Sequence, residues 1–160
     1  MFPATEEIAE FFEEKDVHFS ISETEESSRV VASVVVDYAA FTVYFISSDE
    51  TNDVSVRVPH YVRFKEQNRR DMLRIANRMN DKYRFVKFTV NDDAESITIE
   101  YDFAEKTENI GPVAEELFRR LMQIAEEAYP EFMRAIWGAK DEPVSQPQAL
   151  GNIVFHDFEV

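Results

Sequence analysis

The chain has 160 residues, 44% hydrophobic and 13% aromatic, with 3 Gly, 6 Pro and a formal net charge of −15. That composition builds a single folded core and excludes a disordered or fibrous chain. The lack of Cys excludes disulfides, thiolate metal centres and cysteine nucleophiles, and the negative charge opposes nucleic acid and anionic membranes as partners.

The opening Met1-Phe2-Pro3-Ala4-Thr5-Glu6-Glu7 has no basic region and no apolar run, so it does not read as a signal peptide. No run of about 18 apolar residues follows, and a cytoplasmic protein is expected. Thr5 is predicted to cap a first helix through about Lys15, with Ile8, Phe11 and Phe12 as its apolar stripe. Val17, Phe19 and Ile21 alternate with His18, Ser20 and Ser22, which is the period of a half-buried strand. After the acidic turn 23–28, residues 29–38 are rich in β-branched side chains and read as an internal strand. A strand over 41–46 and another at Val54, Val56 and Val58, ended by Pro59, complete a meander, since such short links join only antiparallel neighbours.

From about Arg63 to Asn80 the period changes from two to 3.6. Met72, Ile75, Ala76 and Met79 make one helical face. Arg63, Arg70, Arg74 and Arg78 fall within about 80° of one another on the opposite side, taking ~100° per residue. Val86, Phe88 and Val90, then Ile97, Ile99 and Tyr101, give two more alternating strands around an acidic turn at 91–94. A long helix begins near Asn109, with Val113, Leu117, Leu121, Ile124 and Ala128 as its stripe, flanked by Phe118, Met122 and Ala125. Pro130 is expected to kink or interrupt it, and a short apolar helix ends at Gly138. Residues 1–138 thus form one domain. Residues 139–160 read as a linker with Pro143 and Pro147, followed by an apolar end around Ile153, Phe155 and Phe158.

Few residues suggest chemistry. His18, His60 and His156 are too widely spaced for a zinc motif, and Asp49, Thr51 and Asp53 lack the glycine and the final Glu of a calcium loop. The only glycines are Gly111, Gly138 and Gly151, so no phosphate-binding loop or nucleophile elbow can be built, and no cofactor or metal is expected. Paired carboxylates cannot be singled out among 32 acids. Charge is more informative. Residues 57–88 carry ten of the 17 Lys and Arg residues with only Glu66, Asp71 and Asp81 as acids. The arginine strip is expected either to be a solvated face, whose ion pairs contribute ~0–1 kcal/mol each, or to dock an acidic partner segment or a second subunit through bidentate contacts. Ile153, Phe155 and Phe158 are expected to close the sheet, pack on the domain or engage a partner subunit.

Three stretches carry a family likeness: Ile75-Ala76-Asn77-Arg78-Met79-Asn80 running into Tyr83-Arg84-Phe85-Val86-Lys87-Phe88; Ile97-Thr98-Ile99-Glu100-Tyr101-Asp102; and residues 128–138 from Ala128 to Gly138. Over about residues 5–138 the chain resembles the YbjN family of bacterial proteins, which has the fold of type III secretion chaperones. The resemblance implies an α+β domain with an antiparallel β-meander sheet of five or six strands and flanking helices. Six strands give the order α-β-β-β-β-α-β-β-α, and five give α-β-β-β-α-β-β-α. It implies a candidate regulator of sensory transduction or a chaperone-like homodimer that binds a protein or peptide segment, with no catalytic residues to carry over. The alternatives are a small cytoplasmic hydrolase using surface carboxylates and a structural subunit of a larger complex.

Overall fold

Three helices cover one face of a six-stranded antiparallel sheet in the computed structural model, which describes residues 1–37 and 39–138. The strands are β1 (Phe19–Glu23), β2 (Ser28–Val36), β3 (Ala39–Ser47), β4 (Val54–Arg63), β5 (Lys87–Asn91) and β6 (Ser96–Phe103). The helices are α1 (Pro3–Glu14), α2 (Arg69–Lys82) and α3 (Ile110–Trp137), with a 3₁₀ turn at Glu66–Asn68 leading into α2. The α+β order is therefore α-β-β-β-β-α-β-β-α.

Side-chain alternation dictates which face of the sheet meets the helices. Val30, Ala32 and Val34 of β2, Phe41, Val43 and Phe45 of β3, and Ile97, Ile99 and Tyr101 of β6 are buried. The residues between them point to the uncovered face, a usual arrangement for antiparallel sheets. The first four strands form the expected meander, but the spatial order is β1-β2-β3-β4-β6-β5. Because α2 lies between β4 and β5, the later hairpin arrives as a unit, with β6 beside β4 and β5 at the margin.

Several local expectations change. Thr5 does not cap α1: the helix starts at Pro3, whose fixed φ suits a first turn, and Thr5 is buried with its hydroxyl donating to the Phe2 carbonyl at 2.9 Å. Ile21 is exposed because β1 is a margin strand with little above it. Pro59 does not end β4, which continues to Arg63 through a register shift between Val58 and Val62. There a proline removes no needed ladder bond, and His60 adopts φ 53. The helix expected from Arg63 therefore begins only at Arg69, and Arg63 belongs to β4.

α3 runs unbroken through Pro130. Ala128 and Phe132, both fully buried, anchor the backbone on either side of that proline. The buried line of α3 is Ala114, Phe118, Leu121, Ala125, Ala128 and Phe132, while Val113, Leu117 and Ile124 flank it half-buried. The helix settles on its small residues, which allow close approach, so its stripe is rotated from the expected one. The four-residue inner face of α2 (Met72, Ile75, Ala76, Met79) is as expected.

Tyr61 sits at the centre of an aromatic cluster, with ring centroids of Phe41, Phe88, Tyr129 and Phe132 all about 6 Å away. Its hydroxyl donates to the Ala125 carbonyl of α3. Tyr101 is equally buried, but its hydroxyl has no partner among the described residues. Burial pushes both phenols well above the usual tyrosine range. The two tyrosines should respond oppositely to loss of the hydroxyl. Tyr61→Phe is expected to lower unfolding stability by about 1 kcal/mol, whereas Tyr101→Phe should leave it unchanged or raise it by up to about 1 kcal/mol. Urea unfolding of the two variants measures the contrast, and equal losses would refute it.

Candidate partner-docking surface

The end of β4, the 3₁₀ turn and the last turn of α3 converge on one cleft of about 460 Å³. It is lined by Arg63, Phe64 and Lys65, by Gln67 and Asn68 of the turn, and by Ile136 and Trp137. Phe64 is held in place by its backbone N–H, which donates to the Glu95 carbonyl at 3.0 Å, so the cleft is anchored to the β5–β6 turn. Trp137 is 79% exposed, an unusual position for the one tryptophan of the chain. On its other side a shallower groove of about 550 Å³ is lined by Tyr129, Pro130, Met133 and Arg134. Trp137 is thus a ridge between two apolar depressions.

The four arginines singled out in the sequence separate into different environments. Arg63 rims the cleft and, like Lys65 and Arg70, pairs with no carboxylate among the described residues. Arg74 contacts Asp71 at 2.9 Å on its own helix, with its side chain 79% exposed. Arg78 reaches Glu131 of α3 at 2.8 Å, and Arg134 shares that carboxylate at 3.2 Å. Arg70, Arg74 and Arg78 remain on one exposed strip of α2 with Leu73 among them. The structure does not bring Arg63 onto that strip. Ile153, Phe155 and Phe158 lie outside the described residues.

The remaining charges have visible structural tasks. Arg69 makes two bonds to Asp92, at 2.7 and 2.8 Å, tying the start of α2 to the β5–β6 turn and holding the Asp92 carboxyl below its usual value. Glu127 is likewise held low, first by Gln123 and then by the Tyr83 hydroxyl. Asp49 accepts from the Thr51 backbone at 2.8 Å and from its hydroxyl, a side-chain turn that lowers the Asp49 carboxyl. The residues 49–53 are a hairpin loop, as expected. Among the described residues, no three of His, Asp and Glu are grouped to hold a metal ion, and no helix is long and apolar enough to cross a membrane.

Sequence reasoning missed Trp137 and Phe64 as residues lining a cleft. A signal was present for the tryptophan. It lies five residues beyond Phe132, about 140° away around the helix, so it cannot share the buried line. Phe64 had no such signal, because its burial depends on the β4 register shift. Phe85 is a second exposed aromatic, with φ 72, and the Arg120 guanidinium lies over its ring at 5.5 Å.

Fold and surface together define an α+β domain that carries an apolar cleft with a cationic rim. The profile of the YbjN family, described as a putative bacterial sensory transduction regulator, matches residues 4–136, and the chain belongs to that family. No curated protein and no solved structure matches it.

Proposed function

We propose that the protein is a non-enzymatic cytoplasmic regulator that acts by binding an extended, acidic and apolar segment of another polypeptide, and that it does so as a homodimer. One observation supports this reading above the others: the cleft places exposed Trp137 and buried Phe64 beside Arg63 and Lys65, cations without a carboxylate among the described residues. An apolar side chain fills the depression while its acidic neighbours meet the rim. This is the pattern of an anchored interface with a charged border. The α2 strip of Arg70, Arg74 and Arg78, with Leu73, extends the cationic surface. Family membership favours regulation over catalysis, and the homodimer rests on the chaperone likeness, which light scattering tests.

Trp137 reports directly on the cleft, since the chain has no other tryptophan. A synthetic peptide of alternating Phe and Asp is expected to shift its emission on titration. Arg63→Glu with Lys65→Glu should weaken that binding by about tenfold or more, equivalent to roughly 1.4 kcal/mol. An unchanged dissociation constant in the charge-reversed protein would remove the cleft from consideration.

A further inference from the structure

The described residues end at Gly138, directly after the tryptophan ridge. The sequence continues through residues 139–160, whose apolar end contains Ile153, Phe155 and Phe158 together with Asp157 and Glu159. In composition this segment is the kind of ligand that the cleft suits: large apolar side chains interleaved with carboxylates. It is also within reach. Fourteen residues lie between Gly138 and Ile153, a span of ~20 Å for a flexible chain and up to ~50 Å if extended.

Other exposed apolar groups lack this combination. Val35 is 83% exposed, but it stands on the uncovered sheet face away from the cationic rim. Phe85 already has the Arg120 guanidinium over its ring. Only at Trp137 do an open apolar cleft, cations without carboxylate partners among the described residues and the exit of the chain coincide.

We propose that the segment Ile153–Phe158 seats in the Trp137 cleft of its own chain, with Asp157 opposite Arg63 and Lys65, and so competes with the partner segment for the same place. This rests on the cleft being the docking site argued above. Covalent attachment to the same chain supplies an effective concentration of order millimolar, enough for a weak contact to dominate until a tighter partner displaces it. The tail then acts as a built-in threshold: only segments that outbid it engage the regulator.

The test uses the full chain and acrylamide quenching of Trp137. In the wild type the tryptophan should be protected, and Phe155→Asp with Phe158→Asp should raise the quenching constant by about threefold, as release of a mostly bound tethered segment requires. Equal quenching in both proteins overturns the inference. Protection that vanishes on dilution overturns it too, since the occupant would then be a second copy's tail. A charge exchange gives an independent arm. Arg63→Glu with Lys65→Glu should expose Trp137, and adding Asp157→Lys with Glu159→Lys should restore protection; failure of that rescue rejects the pairing. Titrating the Phe–Asp peptide into the wild type and the Phe155→Asp/Phe158→Asp protein separates the two claims. Tighter binding by the variant supports competition, and equal binding overturns it. No binding to the variant, with Trp137 still protected in the wild type, upholds the tail contact and rejects the partner reading.

Discussion

Phe12→Ala is expected to destabilise the fold by about 3–5 kcal/mol, a large part of the 5–15 kcal/mol that holds a typical domain together. Phe12 is fully buried where α1 meets the sheet and α3. Its ring lies 5.3 Å from that of Phe45 on β3, 5.4 Å from Phe118 on α3 and 6.2 Å from Phe19 on β1. Truncation removes the transfer free energy of the ring and leaves a void that four separate elements would have to close. Those elements are tied by β-sheet and helix backbone bonds, so little collapse is available. Chemical unfolding monitored by circular dichroism gives the value. A loss below about 1.5 kcal/mol, smaller than any usual Phe→Ala change in a core, would mean that the α1 contact is not packed as described.

Gly111→Val is expected to cost about 3 kcal/mol through overpacking at the α1–α3 crossing. A Cβ at Gly111 would fall 2.8 Å from the Phe11 Cβ and 3.0 Å from the Glu7 carbonyl oxygen. Neither atom is the far end of a flexible side chain, so the helices themselves must separate. The Gly111 N–H also donates to the Glu7 carboxylate at 3.2 Å, a bond that separation would lengthen. The requirement here is for space. Gly111→Ala should show a smaller loss, because better helix propensity offsets part of the clash. Stability of the valine variant equal to wild type would show that the two helices do not approach this closely.

Much of the architecture was legible because period alone distinguishes strand from helix. Met72, Ile75, Ala76 and Met79 declare the inner face of α2, since three of the four positions between them are the polar Arg74, Asn77 and Arg78. α3 was less clear. Large apolar residues Val113, Leu117 and Ile124 continue along one edge of the buried line, and close packing through Ala114, Ala125 and Ala128 chose the narrower solution. The sheet order was not legible past β4, because pairing β6 with β4 depends on contacts between segments far apart in the chain. The docking surface was half legible. Arg70, Arg74 and Arg78 share a face by helical spacing. Arg63 needed the strand to continue past Pro59, which local rules oppose. The cleft itself is assembled from two distant segments, residues 63–68 and 136–137, and no local pattern encodes that meeting.

The irregularity in β4 has a consequence for how the chain tolerates length change. Between Val58 and Val62 the strand spends four steps where β6 spends two, from Ile99 to Ile97. An even surplus keeps both halves of the strand in phase, which is why Val58 and Val62 both face inward. Deleting a single residue from this stretch would make the surplus odd, turning everything beyond it inside out up to the lip formed by Arg63 and Phe64. Deleting two would preserve parity while straightening the strand. Arithmetic parity, as much as side-chain chemistry, is therefore written into this short stretch.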